Sequence, residues 1–224
     1  MTFRSLAPGV HVADASQRFV GLEMGARMTV LDLDGDLLVH SPIAVPPAAL
    51  EGLGTPRWVL APNVMHHLYV GPWVEAGLEG WGAPGLVEKR SDVRFAGELT
   101  DGGHPFGPDI FVHPLRCFGM TNEVVVLHRP SRTLLCADLV FNISPRAPWL
   151  TRVAMRCLGG YPGCRVTLLE RLGMRRDLAR EDLAVIAGWD FDRVIMAHGE
   201  VIETGGKAAV LGAFRWLSLP ALPP

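Results

Sequence analysis

Three short apolar segments of this chain each lead into a histidine or an aspartate. The segments cover residues 57–61, 133–137 and 193–197, and their length and hydrophobicity predict buried β-strands. They are followed by His66 and His67 in a loop, by Asp138, and by His198. Because α/β proteins place their chemistry at the ends of such strands, the recurrence predicts an α/β fold with a functional site at one edge.

The rest of the chain predicts further strands and outer helices. The first 45 residues have the pattern of a β-meander with a turn at Asp34-Gly35, and residues 123–137 have the pattern of a hairpin. Helical patterns cover residues 73–80, 149–158, 167–172, 180–188 and 208–216. We therefore expect an αββα sandwich of two mixed β-sheets flanked by helices, with the three apolar segments as central strands. A single domain is expected over residues 1–218, followed by a tail at 219–224.

Composition argues against several classes of protein. No apolar run approaches the roughly 18–20 residues of a membrane span, and the first residues do not resemble a secretion leader. The four cysteines include no Cys-x-x-Cys pair, so we expect reduced thiols in a cytoplasmic protein. Nucleotide-binding glycine motifs and the Gly-x-Ser-x-Gly elbow are absent from the sequence. The net charge of −2 argues against nucleic-acid binding.

Positive charge is concentrated in one segment. Between Arg146 and Arg180 there are eight arginines against Glu170 and Asp177, so the segment carries +6 and the remainder −8. We expect helices here that lie over one rim of the site and favour an anionic small-molecule substrate. The alternative is an ordinary solvated helix face.

Four residues have the chemistry of metal ligands. His66, His67, Asp138 and His198 would supply three imidazoles and one carboxylate, which suit one divalent metal, Zn²⁺ first and Fe²⁺ or Mn²⁺ as alternatives. Taken singly, each has an ordinary structural explanation as a turn histidine, a helix-capping aspartate or a surface loop residue. Their shared position after apolar strands favours the metal site.

Other polar residues cluster around the same strand ends. His40, Asn63 and Asn142 are candidates for orienting the ligands or contacting substrate. His66 and Glu123 are the candidate catalytic residues, with Glu123 as a replacement ligand or general base. The alternative for Glu123 is a strand-edge carboxylate paired with an arginine.

Five segments carry a resemblance to a known family. The chain resembles the metallo-β-lactamase fold and, within it, the divergent DUF4336 family. The matching segments are 38–43, 59–68, 123–134, 137–142 and 194–199.

The resemblance implies that one half of the superfamily's metal site is lost. The signature loop of the superfamily reads His-x-His-x-Asp-His, and its last histidine matches His67. His66 then takes the place of the aspartate. Pro62 and Val64 take the places of the first two histidines. The turn that carries the next histidine of the superfamily corresponds to residues 117–123, which contain none.

The resemblance also implies that the other half is kept. Asp138 matches the bridging aspartate, and His198 matches the final histidine. A single-metal site is expected, in a metal-dependent hydrolase or lyase acting on a small ester, lactone, thioester or related substrate. The alternative is a non-catalytic descendant of the fold that binds a ligand or a partner. The oligomeric state is open.

Overall fold

The chain forms thirteen strands and six α-helices within residues 2–100 and 103–217, the part described by the computed structural model. The strands are β1 Arg4–Ala7, β2 Val10–Ala15, β3 Arg18–Phe19, β4 Leu22–Glu23, β5 Ala26–Leu33, β6 Asp36–His40, β7 Thr55–Ala61, β8 Glu79–Gly82, β9 Phe95–Glu98, β10 Ile110–Pro114, β11 Val124–His128, β12 Thr133–Leu135 and β13 Arg193–Ile195. The helices are α1 Val70–Glu75, α2 Leu86–Lys89, α3 Trp149–Cys157, α4 Leu168–Gly173, α5 Arg176–Gly188 and α6 Gly206–Ala213. Short 3₁₀ turns cover Pro47–Leu50 and Arg215–Leu217.

Two mixed sheets form the centre of the fold. The larger sheet has the strand order β1-β2-β5-β6-β7-β8-β9, and the smaller has the order β10-β11-β12-β13. The larger sheet is antiparallel up to β6 and parallel from β6 to β9. In the smaller sheet only β12 and β13 are parallel. Strands β3 and β4 form a separate hairpin.

Three apolar layers hold the two sheets and the helices together. One layer lies between the sheets, a second packs the larger sheet against α1 and α2, and a third packs the smaller sheet against α5 and α6. Strand β11 shows why its sequence is continuously apolar. Val124 and Val126 face the layer between the sheets, whereas Val125 and Leu127 face the helices. This arrangement confirms the predicted αββα sandwich.

Two details of the sequence prediction are wrong. Strand β13 is an edge strand of the smaller sheet and not a central one, although Val194 exchanges two backbone hydrogen bonds with Ile202 on its outer side. The helix predicted over 73–80 ends at Glu75, and Glu79 to Gly82 form β8 beside β7. The proposed tail at 219–224 lies outside the described residues.

Across residues 2–100 and 103–217, no helix is long and apolar enough to cross a membrane.

Candidate metal centre

Three of the four predicted ligands meet at the ends of β7, β12 and β13. His66 lies in the loop after β7, Asp138 follows β12 and His198 follows β13. The two imidazole Nε2 atoms are 3.1 Å apart, and each is 3.5 Å from Asp138 Oδ1. All three side chains are nearly buried. These three residues form a group that could hold a metal ion.

The ring of His198 is held so that its Nε2 points into the group. Its Nδ1 lies 2.7 Å from the carbonyl oxygen of Gly25, and because a carbonyl oxygen only accepts, Nδ1 carries the proton. In the neutral ring, Nε2 therefore keeps its lone pair. Phe141 stacks on the same ring at 5.9 Å with an interplanar angle of 8°. The tautomer and the orientation of His198 both suit a metal ligand.

His66 is oriented by polar contacts of its ring and of its backbone N–H. Its Nδ1 lies 3.0 Å from Ser41 Oγ, and its backbone N–H donates to Asn63 Oδ1 at 2.7 Å. Its Nε2 faces the Nε2 of His198, edge to face. Two imidazole lone pairs at this distance repel unless a proton or a cation lies between them.

Asn63 connects the His66 loop to Asp138. Its amide Nδ2 donates to Asp138 Oδ2 at 2.8 Å, while its Oδ1 accepts from the N–H groups of Met65 and His66. Asn63 is fully buried, so both halves of its amide are used in this bridge. Asn63 thus links the backbone of the His66 loop to the carboxylate of Asp138.

Glu123 holds the backbone of the Asp138 turn. It is fully buried at the start of β11. One carboxylate oxygen accepts from the N–H groups of Ala137 and Leu139, and the other accepts from the N–H of Asp138 at 2.8 Å. A carboxylate with both oxygens occupied has no access to substrate. The structure thus gives Glu123 a positioning role, neither ligand nor general base nor arginine partner.

The charges of the centre follow from burial and neighbours. Burial would raise the pKa of Asp138, but His66, His198 and Asn63 together hold it well below its usual value. Burial and the charge of Asp138 raise the pKa of Glu123 to about 7. Burial lowers the pKa of His198. In His66 burial is outweighed by Asp138, and the net pKa is raised. Asp138 is thus the anion of the group and His198 its neutral imidazole.

The structure does not bring His67 into the group. Its Nδ1 lies 3.0 Å from a guanidinium nitrogen of Arg90, which also donates to the His67 carbonyl. Since arginine only donates, Nδ1 accepts, and the lone pair of the ring is used. Burial and the charges of Lys89 and Arg90 lower the pKa of His67. Consecutive loop residues point their side chains apart, so the predicted four-residue set reduces to three.

His40 and Asn142 lie beside the centre without contacting the ligand atoms directly. His40 is buried at the end of β6, and burial, with the charge of His66, lowers its pKa to about 3. Among the described residues its Nε2 has no hydrogen-bond partner. Asn142 Nδ2 donates to the Glu200 carbonyl, and the Asn142 carbonyl accepts from the Glu200 N–H. Asn142 therefore fixes the turn that follows His198.

That turn requires a glycine. Gly199 has φ +91, and a Cβ there would lie 2.1 Å from the carbonyl oxygen of Asn142. Any other residue would therefore move the backbone next to His198.

Some contacting residues were not identified from the sequence. Ser41 follows the noted His40, whereas the Gly25 carbonyl and the Phe141 ring have no local sequence signal. Glu170 on α4 is half-buried, accepts a hydrogen bond from Thr167, and has its pKa raised to about 7 by burial, with Asp138 contributing.

The arginine-rich segment forms helices next to this centre. It includes α3, α4 and the start of α5. Phe141, which stacks on His198, exchanges two backbone hydrogen bonds with Arg165 in the connection between α3 and α4. Of the eight arginines, only Arg175 lies within ion-pair distance of an acid, Asp177, in the described part of the chain. The charge of this segment is therefore largely unneutralised.

Solved structures show which fold this is. The chain is similar to a metallo-β-lactamase from Hirschia baltica, with TM-score 0.68, 11% identity and 99% of both chains covered. It is also similar to the metallo-β-lactamase FIM-1 from Pseudomonas aeruginosa in its mono-zinc form, with TM-score 0.66, 12% identity, and 98% and 96% of the two chains covered. For a metallo-β-lactamase from Erythrobacter litoralis with β-mercaptoethanol in the active site, the TM-score is 0.69 at 11% identity, with 96% and 95% covered.

These similarities establish the metallo-β-lactamase fold. No model of a known protein family matches the chain, and no curated protein matches it in sequence. The resemblance to the DUF4336 family therefore stays a prediction.

Proposed function

We propose that this metallo-β-lactamase-fold chain is a hydrolase that uses one divalent metal ion, held by His66, Asp138 and His198. Zinc is the first choice for two imidazoles and one carboxylate, with iron or manganese as alternatives. The proposed substrates are small esters, lactones, thioesters or related compounds, including anionic ones. Membership of the DUF4336 family is part of the same proposal.

The observation that carries this proposal is the triangle of ligand atoms. Its edges measure 3.1, 3.5 and 3.5 Å. Tetrahedral zinc with ligand bonds of about 2.0–2.1 Å has edges of roughly 3.3–3.4 Å. The three atoms are thus spaced as three corners of such a site, and the fourth corner has no protein ligand among the described residues.

The residues around the triangle have distinct tasks in this proposal. Asp138 supplies the negative charge, and His198 supplies an unprotonated Nε2 because its ring proton lies on Nδ1, which donates to the Gly25 carbonyl. Asn63 ties Asp138 to the His66 loop, because one half of its amide bonds to each. A divalent ion in such a site acts as a Lewis acid on a carbonyl oxygen and lowers the pKa of a water molecule.

A binding protein without catalysis is the second candidate. It is favoured by the pairing of His67 with Arg90, because that pairing leaves only three ligand residues in the group. Among the described residues there is no second group of this kind. In this alternative the chain keeps the fold and a metal ion or small ligand but performs no hydrolysis.

Metal analysis and a hydrolysis panel test the proposal. The wild type, His198→Ala and His67→Ala are purified without chelator from medium supplemented with zinc, iron and manganese. We expect about one metal ion per chain in the wild type and in His67→Ala, and none in His198→Ala. The wild type should hydrolyse at least one ester, lactone or thioester, and His198→Ala should not.

The outcomes separate the two candidates. Stoichiometric metal without hydrolysis across the panel would favour the binding protein. A metal-free wild type would overturn the metal centre itself.

A further inference from the structure

Helix α4 exposes its apolar residues and partly buries its charged ones. Its three leucines, Leu168, Leu169 and Leu172, are exposed, and Leu172 is 85% exposed. The charged residues between them, Glu170 and Arg171, are half-buried. A surface helix of a soluble domain normally shows the opposite pattern. The leucines of α4 therefore lack the covering that they would normally have.

Helix α3 also exposes large apolar side chains. Thr151 and Met155 face inward, whereas Trp149 and Val153 face outward, with Trp149 69% exposed. Arg156 lies on the same outward stripe, seven positions after Trp149. The outward side of α3 thus combines an indole, an aliphatic side chain and a guanidinium group.

The elements that carry these residues contact one another. The N–H of Leu168 donates to the carbonyl of Leu158 at 2.7 Å, which joins the start of α4 to the end of α3. Thr151 on α3 donates to the carbonyl of Glu23 in the β3–β4 hairpin. Val20 at the hairpin tip is 85% exposed and has φ +49, a strained conformation for a β-branched residue.

We define the apolar face as the exposed hydrophobic residues of the hairpin tip, α3 and α4. They are Phe19, Val20, Trp149, Leu150, Val153, Leu168, Leu169 and Leu172.

Arginines accompany the apolar face without acidic partners. Between Arg146 and Arg165 the sequence contains four arginines and no acidic residue. They are Arg146, Arg152, Arg156 and Arg165, and none forms an ion pair with a described acid. This combination of exposed tryptophan, leucines and unpaired arginines has the chemistry of a surface that binds anionic lipid headgroups.

We propose that the apolar face docks on an anionic lipid bilayer. Its leucines enter the boundary between headgroups and acyl chains, Trp149 lies at the headgroup level, and the arginines contact lipid phosphates. A second copy of the chain is the less suitable occupant. A symmetric dimer through this face would bring the arginines of both copies into one interface that contains no acidic residue of the apolar face. The proposal concerns attachment, and its test measures vesicle binding, which does not require metal in the candidate centre.

Vesicle co-sedimentation of the full chain tests this docking. The vesicles contain phosphatidylcholine alone, or phosphatidylcholine and phosphatidylglycerol in equal parts, at low and high salt. We expect binding to the anionic vesicles and weakening in high salt. Leu172→Ser should weaken partitioning about tenfold. Arg146→Gln and Arg156→Gln should each weaken it about fivefold at low salt.

Matched variants control for general effects of lost hydrophobicity or charge. Val185→Ser removes an exposed apolar side chain of α5 outside the apolar face, and Arg94→Gln removes an exposed charge outside the segment. Both should bind vesicles as the wild type does. Failure of the wild type to bind anionic vesicles at low salt would overturn the proposal. So would a concentration-dependent dimer that Leu172→Ser disrupts while vesicle binding is absent.

Discussion

The fold contains two buried histidine–aspartate clusters whose hydrogen bonding differs. Around Asp182 on α5, His113 Nε2 lies 3.1 Å from Oδ1, and the N–H of Cys117 donates to Oδ2 at 2.9 Å. Arg116 adds a longer contact to Oδ1 at 3.4 Å. Both oxygens of this fully buried carboxylate thus face donors, as a purely structural ion pair requires.

The cluster at Asp138 is arranged differently. Its Oδ2 accepts from Asn63, but its Oδ1 faces two imidazole Nε2 atoms at 3.5 Å, and those two nitrogens also face each other. These three ligand atoms lie close to one another, with the lone pair of His198 Nε2 directed into the group. The Asp138 cluster therefore has the geometry of a candidate metal site, whereas the Asp182 cluster has the paired donors and acceptors of a structural contact.

Removing single histidines gives the largest contrast between the clusters. His66→Ala and His198→Ala should each lower metal affinity by more than ~100-fold, because each deletes one of three ligands. His67→Ala and His113→Ala should retain metal, measured by chelator competition and elemental analysis. Equal metal loss in His67→Ala would show that its ring leaves Arg90 to bind the ion.

Removing Asp182 should lower stability without affecting metal content. Asp182→Ala should lower the free energy of unfolding by about 3 kcal/mol, because it removes the buried carboxylate that accepts from the Cys117 N–H and contacts His113 and Arg116. Its metal content per folded chain should stay unchanged. Urea unfolding and elemental analysis of the same samples measure both quantities. A stable Asp182→Ala protein that had lost its metal would reverse the roles of the two clusters.

Glu123→Gln tests whether the metal centre depends on its buried support. The amide has one acceptor oxygen where the carboxylate has two, so at least one N–H of residues 137–139 loses its partner. We expect the free energy of unfolding to fall by about 1–3 kcal/mol and metal affinity to fall ~10-fold or more. If affinity and stability are both unaltered, the turn at Asp138 is held by other contacts.

Acid should destabilise the metal-free protein through His40. Its pKa is lowered from 6.5 to about 3, so the unfolded chain binds a proton that the folded chain excludes. Stability should therefore fall as the pH drops from 6.5 towards 3, by up to about 1.4 kcal/mol per pH unit. Urea unfolding across this range should show a smaller slope in His40→Leu than in the wild type. Identical slopes would mean that another group carries the titration.

Features of this site that depend on local sequence patterns could be predicted, whereas features that depend on contacts between distant residues could not. The ends of β7, β12 and β13 could be located because short apolar runs are local patterns. His66 lies in the loop after β7, and Asp138 and His198 lie within three residues of the ends of β12 and β13. The direction of the His67 side chain could not be predicted, because it depends on a contact with Arg90, the residue that follows the end of α2. The edge position of β13 depends on strand pairing, which the hydrophobicity of the segment does not encode.

The same distinction separates helix from strand at 73–82. Trp73 belongs to α1 and is fully buried, as an apolar helical pattern predicts. Residues 79–82 contain two glycines, and they become strand because β7 and β9 pair with them on both sides. Local propensity did not decide that segment, since tertiary pairing supplied its hydrogen bonds.

The sequence by itself determined the αββα layers and the residue types at the strand ends, because short apolar segments that must be buried are local sequence patterns. Only the tertiary structure decided which of these residues converge. His198 owes its tautomer to the carbonyl of Gly25, 173 positions earlier, and Asp138 owes its place to Glu123 and Asn63 on other elements. Such contacts depend on distances between remote backbone segments, and no local pattern of residues specifies them.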